Sequence, residues 1–251
     1  MFDVERVIRV ENEVGESPRW DADEQALYWL DIWDSPAVMR FQPQTKAFTQ
    51  WRPGLPVTGQ ARRAGGGFVF AARTGLYLWD ERTGESQFIH DPEAGNRPVR
   101  FNDGSADRLG RFWAGSTYAD DQFRPEGSLY RMDPDRSVHK LAGGLACSNG
   151  LGWSPDNRTM YVTAQFAYEL LAFDFDLASG EIGDRRSFAR VPSADGLPDG
   201  LTVDAEGFVW SAQWGGWRIT RYDPDGKIER VVKLPVPNPT SCIFGGPDLT
   251  S

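Results

Sequence analysis

The sequence predicts an all-β chain folded as a β-propeller, and three observations carry the prediction. Segments rich in β-formers recur as ALYWLDI (26–32), GFVFAAR (67–73), RFWAGST (111–117), TMYVTAQ (159–165) and GFVWSAQ (207–213). Taking Tyr28, Val69, Trp113, Tyr161 and Val209 as equivalent, the spacings are 41, 44, 48 and 48 residues. Each segment follows a turn-like stretch such as WDADEQ, ADRLG, SPDNR or DAEG, and no amphipathic helix intervenes. A repeat of this length made of several strands is the signature of propeller blades. No Trp-Asp signature with its Gly-His partner is present, which disfavours the WD40 class.

After most repeated segments comes a second strand closed by an acidic turn: LYLWDERTGE, LYRMDPDRS, LLAFDFDLASGE and ITRYDPDGK. With 27 Gly, 17 Pro and 10 Trp in 251 residues, many turns and short aromatic strands are expected, in one propeller domain spanning 1–251. A net charge of −9 with no basic cluster excludes a nucleic-acid backbone as partner. No apolar run reaches the roughly 18 residues that span a bilayer, so no membrane partner is expected, and nothing points to an obligate protein partner. The acidic start MFDVERVIRVENEVGE lacks the pattern of a signal peptide. Cys147 and Cys242 lie far apart without CxxC spacing, and the expected compartment is a reducing cytoplasm.

Five residues before the turn that precedes each repeated strand stands a polar residue. Asp21 leads back to Glu16, Asp107 to Asn102, Ser154 to Asn149 and Asp204 to Asp199. The second repeat offers only Gln60. These positions are read as the approach to the innermost strand of each blade, so successive blades bring them together around the axis. One such residue alone is an ordinary turn cap, and Asn149-Gly150 by itself is a hairpin signal. Four at one register predict a shared site. Carboxylates and carboxamides facing one another need a cation to neutralise them. Oxygen-only donors suit calcium, magnesium or manganese. The two histidines, His90 and His139, fall off this register, which disfavours a Ser-His-Asp arrangement.

The stretches GESPRWDADEQALYWLDI, RFNDGSADRLGRFWAGS, SNGLGWSPDNRTMYVT, PDGLTVDAEGFVWSAQWGG and TSCIFGGPDL resemble, in order, the motifs of the senescence marker protein (regucalcin)/gluconolactonase/LRE-like family. The resemblance implies a six-bladed propeller with one divalent metal in its central channel. It also implies a lactonase, a carboxylic ester hydrolase that opens the ring of a sugar-acid lactone such as glucono-, xylono- or arabinonolactone. By the resemblance Glu16, Asn149 and Asp199 match the metal ligands, and Asp199 also matches the general base. Arg100 and Asn102 match substrate contacts. Asp120, in AGSTYADD, stands where many relatives carry Glu, with Asp121 as the alternative. The metal implied is calcium, zinc, manganese, magnesium or iron(II). The register alone does not tell Asn102 from a ligand; the resemblance assigns it to substrate. The rival readings are a hydrolase of another ester or phosphoester and a non-catalytic calcium-binding protein.

GGPDLTS, at 245–251, resembles the turn before a sixth repeated strand. The expectation is therefore a sixth blade cut off at its first turn, with ERVIRVE (5–11) as the N-terminal strand that would have joined it. An unclosed ring of this kind is expected to be less stable and less active than a longer chain.

Overall fold

The computed structural model describes residues 4–96 and 98–249, and apart from two 3-10 turns (165–167 and 193–195) its regular elements are strands. Twenty strands form five four-stranded antiparallel sheets, each a meander in chain order. The first is β1 (Gly15–Asp21), β2 (Ala26–Asp31), β3 (Ala37–Gln42) and β4 (Ala47–Trp51). The second is β5 (Val57–Arg62), β6 (Phe68–Ala72), β7 (Gly75–Trp79) and β8 (Ser86–His90). The third is β9 (Val99–Ala106), β10 (Phe112–Tyr118), β11 (Gly127–Met132) and β12 (Val138–Leu145). The fourth is β13 (Ser148–Trp153), β14 (Thr159–Ala164), β15 (Glu169–Phe175) and β16 (Ile182–Arg190). The fifth is β17 (Leu197–Val203), β18 (Val209–Trp214), β19 (Arg218–Tyr222) and β20 (Ile228–Lys233). Among the described residues no helix is long and apolar enough to cross a membrane.

The first strand of each sheet is innermost: β1 touches β5, β5 touches β9, β9 touches β13 and β13 touches β17. The repeated segments read from the sequence are the second strands, β2, β6, β10, β14 and β18. Glu16, Asn102, Asn149 and Asp199, expected on the approach to the inner strand, lie on the inner strand itself. Burial falls outward, so that β6 is buried throughout while β8 and β20 are almost wholly exposed. The core lies between sheets. Tyr28 and Leu30 of the first pack on Phe68, Phe70 and Trp79 of the second. Burying a Phe such as Phe68 contributes about 2–3 kcal/mol.

The turns between first and second strands explain the repeat in the sequence. Asp107 accepts from the N–H groups of Leu109 (2.9 Å) and Arg111 (3.1 Å), and Asp204 from those of Glu206 (3.0 Å) and Phe208 (2.9 Å). The other oxygen takes the indole N–H of Trp113 (3.0 Å) or Trp210 (2.9 Å) on the strand that follows. One short polar side chain thus closes the turn and anchors the next strand.

Two expectations are corrected. The described residues form five blades, not six. Residues 239–245, which lead into the GGPDLTS stretch expected to open a sixth blade, run between β17 and β1 without entering a ladder. Gly200 donates its N–H to Thr240 O (2.7 Å), and the Thr240 hydroxyl donates across to Gly15 O. A lone segment touching a different sheet on each side makes only such isolated bonds, so it is no strand. GGPDL does turn, Leu249 N–H reaching Gly246 O at 3.3 Å, while residues 250–251 lie outside the described set. The expected N-terminal strand is not formed either: Ile8 and Val10 pack as irregular chain on Trp29, Met39 and Phe41 of the first sheet.

Candidate active site

Every inner strand carries a register break at the same height. Ser17-Pro18 interrupts β1, Thr58 β5, Asn102 β9, Gly150 β13, and Asp199-Gly200 β17. A bulge re-aims side chains that strict alternation would send to opposite faces. The expected residues sit at or beside these breaks. Ser17, at φ 51°, and Cys147, at φ 57°, hold left-handed backbone there, an uncommon state for residues with a Cβ.

Close approach of the inner strands requires glycine at several of these points. A Cβ on Gly59 would stand 2.2 Å from Gly104 N, and one on Gly150 would stand 2.6 Å from Asp199 O. Asn149-Gly150 is accordingly no hairpin turn but an in-strand bulge that fits β13 against β17.

Glu16, Asn149 and Asp199, from the first, fourth and fifth sheets, are all buried. Asn149 donates its Nδ2 to Asp199 Oδ1 and, at 3.3 Å, to Gln165 Oε1, while its own oxygen accepts from Gly150 N–H at 3.0 Å. Burial, followed by the carboxylate of Asp103, pushes Glu16 up to about 8. Asp199 is raised well above the ordinary carboxylate range by burial, then by Glu16 and Asp103. Asp103 itself is pushed up to about 6 by burial, opposed by Arg19 and by the N–H groups of Gly104 and Gly150. Three acids therefore share one electrostatic neighbourhood.

Asp103 went unrecognised in the sequence because alternation puts it on the face opposite Asn102. The break at Asn102 removes that alternation and admits both. Arg19 was also missed. Its guanidinium lies beside these acids and donates to Gln60 O (3.2 Å), Pro18 O (2.6 Å) and Gly104 O (2.6 Å), tying three inner strands together. Gln60 turns out to be a strut between blades: its Nε2 reaches Ser17 O at 3.0 Å and its N–H reaches Ser17 Oγ at 3.1 Å. Gln165, the last residue of the repeat TMYVTAQ, was legible only as part of a pattern.

The expected substrate contacts are placed unequally. Asn102 donates to Ser148 O at 3.3 Å, one residue from Asn149. Arg100 lies within electrostatic reach of the Cys147 thiol, which in turn is felt by Asp199 and Glu16. Burial pushes that thiol up to about 12. Asp120 is exposed in the turn after β10 and makes no hydrogen bond to the other site residues among those described. Asp121 Oδ1 is engaged by its own turn, accepting from Phe123 N–H at 3.2 Å.

The donor set fits a hard divalent cation in kind. The buried acids raise one another's proton affinity, and the Asn149 amide stands beside Asp199 with an N–H where positive charge is called for. Two oxygens next to the set, Gln60 Oε1 and Ser148 Oγ, have no hydrogen-bond partner among the described residues. No three His, Cys, Asp or Glu side chains among the described residues close into a cluster that could hold a metal ion; the set here pairs carboxylates with an amide. A cavity of about 920 Å³ lies elsewhere, between the fifth and first sheets, lined by Trp20, Trp210 and Phe244 with the flank of Arg19.

A family model described as "SMP-30/Gluconolactonase/LRE-like region" matches residues 14–251. Regucalcin of Oryctolagus cuniculus is 39% identical over 243 residues, covering 93% of this chain and 80% of the relative. Among solved structures, a calcium-binding regucalcin from Agrobacterium tumefaciens superposes with a TM-score of 0.90 at 25% identity, covering 97% of this chain and 82% of its own. A gluconolactonase from Xanthomonas campestris superposes with a TM-score of 0.77 at 28% identity, covering 93% and 83%.

Proposed function

We propose that this chain, which belongs to the SMP-30/gluconolactonase/LRE-like family, hydrolyses the ring ester of a sugar-acid lactone with the aid of a divalent cation held by Glu16, Asn149 and Asp199. The observation that carries the reading is the hydrogen bond from Asn149 to Asp199 between the fourth and fifth sheets, with Glu16 of the first sheet in electrostatic reach of Asp199, all three beside the bulges of their inner strands. The gluconolactonase of Xanthomonas campestris supports the substrate class, and the oxygen-only donors support a hard cation.

A cation at this place supplies polarisation of an ester carbonyl and acidification of a water. The protein's own groups do the rest. Asp199, fixed by the Asn149 amide, orients the water and accepts its proton as the water oxygen bonds to the acyl carbon. The ring C–O bond then breaks, and the proton passes to the departing ring oxygen, leaving an open hydroxy acid. Arg100 and Asn102 hold sugar hydroxyls so that the acyl carbon faces Asp199, converting binding into orientation. Asp120, exposed in the turn after β10, meets a distal hydroxyl in this reading.

The test is turnover of glucono-1,5-lactone and of pentonolactones before and after chelation, with elemental analysis of the protein. Hydrolysis lost on chelation and restored by a divalent ion is expected. Calcium binding without turnover of any lactone would replace the enzyme by a binding protein, and undiminished turnover in metal-free protein would remove the cation from the reading.

A further inference from the structure

The second strand of the fourth sheet braces two of the three side chains assigned to the ion. Gln165 follows β14 and opens the 3-10 turn at 165–167. Its backbone N–H donates to Cys147 O at 3.0 Å, and that of Phe166 to Ala146 O at 3.1 Å. Its own carbonyl accepts from Tyr168 N–H at 3.0 Å. From this fixed backbone the buried side chain turns toward the start of β13. There Oε1 accepts from Asn149 Nδ2 at 3.3 Å and from the Cys147 thiol at 3.4 Å. Thr163, two residues earlier, donates its hydroxyl to Asp199 O at 2.8 Å.

The repeat does not dictate the contact to Asn149. Gln213 ends GFVWSAQ as Gln165 ends TMYVTAQ, yet its Nε2 donates to the Tyr222 hydroxyl at 3.2 Å, on the third strand of its sheet. Gln165 turns the other way, to the first strand. What it does there follows from the chemistry of an amide. The two ends of an asparagine amide are alike in size and opposite in polarity, and only the oxygen end suits a cation. The Asn149 nitrogen serves Asp199 Oδ1 and Gln165 Oε1 together. An ion that engages Asp199 leaves Gln165 as the acceptor for that nitrogen. The Asn149 oxygen accepts from Gly150 N–H at 3.0 Å and retains a second lone pair. Because the Cys147 thiol bonds the same Gln165 oxygen, this oxygen and not Nε2 faces Asn149. A hydrogen bond from the amide nitrogen also draws charge onto the amide oxygen, which strengthens it as a ligand.

Resting on the reading that Glu16, Asn149 and Asp199 hold a divalent cation, we infer that Gln165 is a positioning residue for that cation. Its Oε1 fixes the nitrogen of the Asn149 amide and leaves the amide oxygen to the ion. Gln165 acts through Asn149, and its side chain sets the affinity of the site.

The experiment strips the full chain with EDTA and titrates calcium or manganese, each alone, into wild type, Gln165→Leu and Gln165→Glu by calorimetry. Leucine keeps most of the bulk and loses the acceptor, while glutamate keeps the acceptor. Gln165→Leu should bind either ion about 10–100-fold more weakly, the usual cost of losing such a partner. Gln165→Glu should bind at least as tightly as wild type. In an Asn149→Asp background there is no amide N–H to hold, and Gln165→Leu should then leave the affinity within about twofold. With saturating ion, lactone turnover by Gln165→Leu should return to the wild-type rate. Equal affinity in wild type and Gln165→Leu would overturn this inference and leave the lactonase reading standing. A similar loss in Gln165→Glu, or in the Asn149→Asp background, would assign Gln165 to packing instead, as would lost turnover that excess ion does not repair. If Gln165→Leu does not fold, Gln165→Glu decides, and an affinity below wild type overturns the inference. A wild type that binds no divalent ion would overturn both readings.

Discussion

Arg19 offers the most direct test of how the blades are held together. Its guanidinium donates to Pro18 O at 2.6 Å, Gln60 O at 3.2 Å and Gly104 O at 2.6 Å, which belong to the first, second and third sheets. It is also the cation that opposes the raised proton affinity of Asp103 and Glu16. In Arg19→Met the side chain keeps its length and loses all of these bonds. A hydrogen bond to a charged donor contributes about 1.5–3 kcal/mol, so three would set an upper figure of about 4.5–9 kcal/mol. Arg19 borders cavities of about 920 and 370 Å³, and water entering them would re-satisfy part of the exposed carbonyls. The expected loss is therefore about 3–5 kcal/mol. Urea unfolding followed by tryptophan fluorescence measures it, with the slope of the transition checked against wild type. Arg19→Lys, which keeps the charge and not the fork, should fall between the two. A loss below about 1 kcal/mol in Arg19→Met would refute the view that this side chain joins the sheets, since a single hydrogen bond is worth that much.

Three further outcomes are expected. The ion-free chain should lose stability as pH rises from the ordinary carboxylate range toward about 8, because folded Glu16 retains a proton that the unfolded chain has released; thermal melts after chelation should show Tm falling across that window, flattened in Glu16→Gln, and a Tm rising from pH 5 to 8 would contradict the burial of these acids. Gly59→Ala sets a Cβ 2.2 Å from Gly104 N and 2.7 Å from the carbonyl carbon of Asp103, backbone that gives way only by parting two sheets, at a cost of about 2–3 kcal/mol; unchanged denaturant midpoints would contradict the packing. Asp199→Asn should lower kcat by about 100-fold or more with a smaller change in KM, the range lost with a general base, and a wild-type kcat would take Asp199 out of the chemistry.

Much of this protein was legible in its sequence because short-range chemistry decides it. Asp107, Ser154 and Asp204 cap their turns through their own side chains, so the spacing of such turns is the spacing of the blades, and the all-β propeller follows. The same spacing gave Glu16, Asn102, Asn149 and Asp199 a common register. Other features were decided by tertiary contacts. The bulges at the inner strands place Asn102 and Asp103 together against the rule of alternation, and nothing local to RFNDG announces a bulge that exists to meet Gly59 and Gly150 of the neighbouring strands. Arg19, read alone, is one more charged residue beside a turn; its three acceptors come from segments up to 85 residues away. The number of blades was settled in the same way. A run such as TSCIFGG carries strand-forming residues whether or not a neighbour exists, and a strand is defined by the ladder it enters. Between β17 and β1 the segment finds single hydrogen bonds and no ladder, so the described residues form the five sheets of the five repeats and not the sixth blade that the resemblance implied: side-chain chemistry is written locally, but backbone pairing is a property of two segments at once.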